Sequence, residues 1–146
     1  MKENRAFSLL ELLIVVAIIL IIATIAIPSL LRSRQSAQES SAVAQLRTIN
    51  TAEVTYISSN QGSYGDIPSL ITQGLIDSRF SGTVSGYSFT VSASGPNYTA
   101  NANPISTNAG RFGYYSSPDA VIRFATYQGG TCSPCYPGAL SGTPVQ

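Results

Sequence analysis

Two cysteines, Cys132 and Cys135, stand in C-x-x-C spacing near the end of the chain. Such a pair could supply half a zinc site, cycle as a redox couple, or close a small structural disulfide. Zinc needs four tetrahedral ligands, and a chain with no His and no further Cys cannot complete that set by itself. A redox pair of the thioredoxin kind sits inside a βαβ unit, between a strand and a helix. Here the pair lies in the Gly/Pro-rich stretch GGTCSPCYPG, which favours a structural disulfide over redox catalysis and suits an exported domain. Other catalytic groupings are missing. A Ser or Thr nucleophile needs a positioned base, yet His is absent and Lys2 is the one lysine. Glu39 and Glu53 are 14 residues apart, about four helical turns, too far to act as an acid–base pair.

The elements that would carry these residues differ sharply in composition. Charged residues make up 10% of the chain and the net charge is +1, with six arginines after Arg5 scattered singly. That distribution lacks the dense basic patch that phosphate neutralisation demands. Leu and Ile concentrate before residue 32, whereas the remainder is rich in Ser, Thr, Gly, Asn and Tyr. Its regularly spaced aromatic and β-branched residues argue for a small folded β domain rather than disorder. In residues 12–27 only Thr24 is polar, and residues 7–31 form a 25-residue helix-forming segment, enough to span a bilayer core. The flanking charges, Lys2 and Arg5 before it and Arg32 and Arg34 after it, balance, so they leave the orientation open. No small-x-small site closes the segment as in a cleaved secretory signal. A plain anchor explains the hydrophobicity but not Glu11.

A lone carboxylate in hydrocarbon is costly and normally has a dedicated partner. No basic residue follows Glu11 within four positions, so a partner must come from the N-terminal side or from another chain. Cleavage before Phe7 would create one, an α-amino cation at the helix N-terminus. Alternatively Glu11 snorkels outward from its place near one end of the segment. From the physics alone both readings stand.

The stretch RAFSLLELLIVVAII, residues 5–19, resembles the leader junction of type IV pilins and pseudopilins. The resemblance covers roughly 25 residues. It implies a leader, residues 1–6, removed by prepilin peptidase between Ala6 and Phe7, and methylation of the new Phe7 amine. It places Glu11 at the fifth mature position and makes Phe7, Glu11 and Pro28 assembly residues. Ala6 stands where the family usually has Gly, and Pro28 is similar to the family's helix-kinking proline. Loss of the leader leaves six Arg against six acids. Pro28 itself lacks an N–H, which predicts a bend or a melted stretch. The resemblance further implies a homo-oligomeric helical filament, with an inner-membrane precursor, assembly machinery as partner, and an extracellular pilus as destination. No cofactor or metal is expected. The pseudopilins of type II secretion carry a calcium site near the C-terminus, but Asp119 is the one carboxylate side chain after Asp77, too few for calcium's oxygen ligands.

Beyond Pro28 the helix is expected to reach about Ser59. Val43, Leu46, Ile49, Ala52, Val54, Tyr56 and Ile57 recur at three- and four-residue steps with Gln45, Arg47, Asn50 and Glu53 between them, an amphipathic pattern with one core face. Gly62 is the expected stop. Residues 62–68 read as a loop and 69–75 as a short helix capped by Gly74. Period-two alternation predicts strands at 87–91 and 98–102, the second with Ala as a weak core residue. Further strands are expected at 111–115 and 120–126 around the turn Ser116-Ser117-Pro118-Asp119. After Gly129 the tail reads as a loop. Tyr114, Tyr115, Tyr127 and Tyr136 could serve core, fibre surface or ligand platform.

The expected fold class is therefore α+β: a long N-terminal helix packed on an antiparallel sheet of three or four strands, as in the pilin fold. The expected organisation is leader 1–6, hydrophobic helix 7–31, amphipathic half 32–60, and β domain 61–146 with its C-terminal Cys132–Cys135 loop. The function expected from the resemblance is a structural filament subunit, not an enzyme. Alternatives are a minor pilin or type II secretion pseudopilin, or, in another class, a membrane-anchored periplasmic binding module.

Overall fold

A computed structural model of the chain describes residues 8–126 and 143–145. Its first element, α1, spans Leu9–Ser59, so the long helix ends where the periodicity ends. The end is built by Gln61, in the left-handed region at φ 54°, and by the Gly62 N–H, which donates to the Ile57 carbonyl at 3.2 Å. A left-handed residue closing a helix with such a bond is most at ease as glycine. Here the glycine sits one position late, and Gln61 carries the Cβ strain. Gln61→Gly is therefore expected to raise stability by about 0.5–1 kcal/mol, the relieved strain less the added unfolded-chain entropy. The midpoint of urea unfolding in detergent micelles measures it, and an unchanged or lower midpoint contradicts it.

Backbone contacts divide the chain into two units, Met1–Ser33 and Arg34–Gln146. In the second, α1 is followed by α2, Ile67–Thr72, and a single 3-10 turn, Ser78–Ser81. The short helix starts two residues earlier than its sequence pattern suggests. Asp66 caps it by accepting from the Ser69 N–H, and Pro68 occupies the opening turn, where a missing N–H costs nothing. Gly74 lies beyond the cap residue Gln73, its N–H donating to the Ile71 carbonyl.

Among the described residues six strands follow in one antiparallel sheet, ordered as they occur in the chain: β1 Thr83–Val84, β2 Tyr87–Ser94, β3 Asn97–Pro104, β4 Phe112–Ser116, β5 Arg123–Thr126 and β6 Thr143–Pro144. The four longer strands are those expected; the two at the edges have two residues each, too short to show a period. β6 pairs with β5 through Arg123↔Pro144 and Phe124↔Thr143, so part of the expected tail loop is strand. β5 begins at Arg123 rather than residue 120, because Asp119 turns the chain there. Its carboxylate accepts from the Val121 N–H and the Arg123 guanidinium, with Ala120 at φ 58°. β1 and β2 meet through Ser85-Gly86, both at positive φ, the two-residue turn whose twist matches paired strands.

The core of this unit joins Ala42, Leu46 and Ile49 of α1 to Phe80, Tyr87, Phe89, Tyr98, Ala100, Ala102 and Tyr114. Ala100 and Ala102 are fully buried, more than the weak core residues expected. Small side chains there leave room for the larger Leu46, Ile49 and Tyr87 to fill the space at interior density. Tyr114 and Tyr115 are buried as well, which removes both from any exposed ligand platform. Tyr127 and Tyr136 lie outside the described residues.

Candidate assembly site

In the first unit, helix formation needs no tertiary support: a run of Leu, Ile, Val and Ala without Gly has no internal breaker before Pro28. The Ser8 carbonyl receives the first bonds, from the N–H groups of Glu11 and Leu12. Every Leu, Ile and Val side chain in residues 9–31 is exposed, from 80% at Leu9 down to 46% at Val15 and Val16. Among the described residues this is the one helix long and apolar enough to cross a membrane by length and composition. Burying each such side chain is worth about 2 kcal/mol, so the segment demands lipid or other helices around it.

Glu11 lies in the first turn of α1 and is exposed, on an otherwise apolar surface. A carboxylate there is favoured by the positive end of the helix dipole. Pro28 lies inside α1, which passes through it unbroken, so the melted stretch that a proline could cause is not present in this chain. The missing N–H still removes the bond that the Thr24 carbonyl would have received. One turn earlier, the Thr24 hydroxyl donates to the Ile21 carbonyl at 2.8 Å. Ala6, Phe7, Cys132 and Cys135 lie outside the described residues.

Three polar side chains fasten the second unit to its stretch of helix. Glu39, buried, accepts from the Arg111 backbone N–H at 2.9 Å and from its guanidinium Nε and Nη2 at 3.2 and 3.0 Å. This fork-to-carboxylate pairing also raises the affinity of Arg111 for its proton. Asn50 accepts from the Tyr98 hydroxyl at 2.9 Å, and Glu53 accepts from the Gly65 N–H at 3.1 Å. The amphipathic pattern put Asn50 and Glu53 on the polar side and Val54 in the core; instead both polar residues are buried and Val54 is 58% exposed. The signal lay in heptad spacing. Glu39, Ala42, Leu46, Ile49 and Glu53 follow one another at steps of three and four, so the two acids extend the core stripe.

Burial pushes the Tyr87, Tyr98 and Tyr114 phenols up, the last to about 12, and keeps Tyr87 and Tyr98 neutral donors to the Phe112 carbonyl and Asn50. At the surface, the Ser69 hydroxyl and N–H hold Asp66 below the usual carboxylate range, and the Arg123 guanidinium does the same for Asp119. Among the described residues no three His, Cys, Asp or Glu side chains gather into a metal-binding group.

Residues 1–27 match the family described as the prokaryotic N-terminal methylation motif. The type IV major pilin protein PilA of Myxococcus xanthus is 43% identical over 56 residues, which are 38% of this chain and 26% of that protein. The type IV wide pilus major component PilA4 of Thermus thermophilus is 36% identical over 75 residues, 51% of this chain and 57% of that protein. The matched stretches thus span about a quarter and somewhat over half of the two relatives.

Proposed function

From a chain whose first 27 residues match the N-terminal methylation motif and whose relatives are type IV pilus major components, we propose that it belongs to the type IV pilin superfamily and is a structural subunit of a type IV pilus-like filament. The observation that carries the reading is an exposed apolar helix with a single acid in its first turn, inside the matched methylation motif. The precursor is held in the bacterial inner membrane by residues 7–31. A prepilin peptidase cuts between Ala6 and Phe7, and the Phe7 amine is methylated. Assembly machinery then moves the apolar helix from lipid into contact with its copies, so that its surface stays out of water throughout. Glu11 sets the register, because a subunit that pairs its carboxylate with a Phe7 amine is favoured over a slipped one. At Pro28 one helix bond is absent in advance, which makes that turn the least costly place for the helix to yield during packing. Cys132 and Cys135 close the C-terminal loop as a disulfide.

The intact mass of the protein in filaments sheared from the cell surface tests this directly. The expected mass lacks residues 1–6, carries one added methyl, and is two hydrogens lighter for the Cys132–Cys135 bond. Unprocessed protein found in membranes and absent from sheared filaments overturns the reading in favour of an anchored binding module.

A further inference from the structure

Glu53 has no exposed surface. Its Oε2 accepts from the Gly65 N–H at 3.1 Å, while its Oε1 is buried with no hydrogen-bond partner. Asn50, on the same helix, is already engaged by the Tyr98 hydroxyl. The segment after the helix brings Gly65 and Asp66 to it, and β3 brings Tyr98, whose phenol lies within reach of its charge. From β4, Ser116 sits against Tyr98, and the Tyr64 ring packs tilted against Tyr98 with centroids 4.6 Å apart. No basic side chain pairs with Glu53 among the described residues, and the sequence has no Lys or Arg after Arg123. A sealed carboxyl offered one N–H and no cation holds its proton more firmly than one in water. Burial accordingly pushes Glu53 up from its ordinary value, the Gly65 N–H offsets part of this, and Asp66 adds to it.

We propose that Glu53 is a proton-operated clamp on the segment that leaves α1, closed while the carboxyl is neutral and released when it ionises. The segment is held by the Glu53–Gly65 bond, by one backbone bond to the β2–β3 turn and by ring packing. Tyr64 is bound by its N–H to the Gly95 carbonyl at 3.0 Å, and Gly65 lies so close under the Tyr56 ring that a Cβ would come within 2.9 Å of it. Ionised, Oε1 must be hydrated, and water reaches it most cheaply if Tyr64 and Gly65 lift away, breaking the Tyr64–Gly95 and Gly65–Glu53 bonds and leaving the helix and sheet in place. The folded, closed state binds the extra proton. Closure is therefore complete below the ordinary glutamate value of about 4.5 and is lost as pH rises through the raised one.

Amide hydrogen exchange at Gly65, in the full chain in detergent micelles and corrected for base catalysis, reads the opening from pH 5 to 8. It is expected to rise with pH by up to about tenfold per unit, the limit for one linked proton, and to be flat in Glu53→Gln. Carbon-13 shifts of the glutamate carboxyls, in the unaltered protein, read the proton itself and keep the test independent of how that variant folds. Opening that does not change with pH, an equal rise in Glu53→Gln, or a Glu53 carboxyl ionised throughout overturns the clamp. None of these outcomes bears on filament assembly.

Discussion

Glu11→Leu is expected to leave the subunit in the membrane and remove it from sheared filaments, with incorporation falling by about a hundredfold or more. The side chain is exposed on an apolar helix, so leucine there only improves the fit to lipid and costs the anchor nothing. In a filament, by contrast, the Phe7 amine would lose its counter-ion among packed helices. Removing one member of a buried ion pair costs about 3–5 kcal/mol because the remaining charge is stranded, and each 1.4 kcal/mol is tenfold in an equilibrium. Glu11→Gln keeps the size and loses the charge, so it is expected to fail nearly as badly. Quantifying subunit in the sheared and membrane fractions separates the cases: normal surface fibres from Glu11→Leu would sink the register role.

Gly110→Ala is expected to be the most damaging single methyl in the second unit, lowering stability by about 3 kcal/mol or more. A Cβ at Gly110 would lie 1.9 Å from the Tyr87 Oη and 2.7 Å from its Cζ. Tyr87 cannot retreat. It is fully buried, its hydroxyl donates to the Phe112 carbonyl at 2.9 Å, and its ring packs against Tyr114. Overpacking alone costs about 1–3 kcal/mol, and forcing the hydroxyl from its acceptor adds the loss of a buried hydrogen bond. Since the closest atom is the hydroxyl, Tyr87→Phe should recover part of the loss, so the double variant is less destabilised than the two singles summed. Urea unfolding of the four proteins closes this cycle. A Gly110→Ala protein as stable as the parent, or strictly additive effects, would show that the segment shifts freely.

The parts legible in the sequence are those whose cause is local. An apolar run without breakers makes a helix whatever surrounds it, and Gly62 marks to within a residue the left-handed turn that ends it, because only a few residue types suit such a turn. The strands with full alternation, such as Tyr87-Ser88-Phe89-Thr90-Val91, were legible for the same reason. So was the N-terminal motif, matched over residues 1–27, where the identity and order of neighbouring residues carry the meaning at the start of a membrane-length segment.

What only the tertiary structure decided involves partners far apart in the chain. The steps of three and four already hold Glu39 and Glu53 on the core stripe. Whether an acid on that stripe is tolerated depends on what the far end of the chain presents to it. Arg111 reaches Glu39 and, among the described residues, no cation reaches Glu53, which separates a firm anchor from a titratable clamp. β1 and β6 are strands because longer neighbours supply their hydrogen bonds; two residues have no period of their own. Gly110 is confined by a tyrosine 23 positions earlier. The sequence by itself determined the helix, its membrane-length apolar surface and the motif at its start, because these are properties of neighbouring residues. Tertiary structure alone decided which polar groups lie inside and what faces them, because burial and charge pairing are set by distance in space.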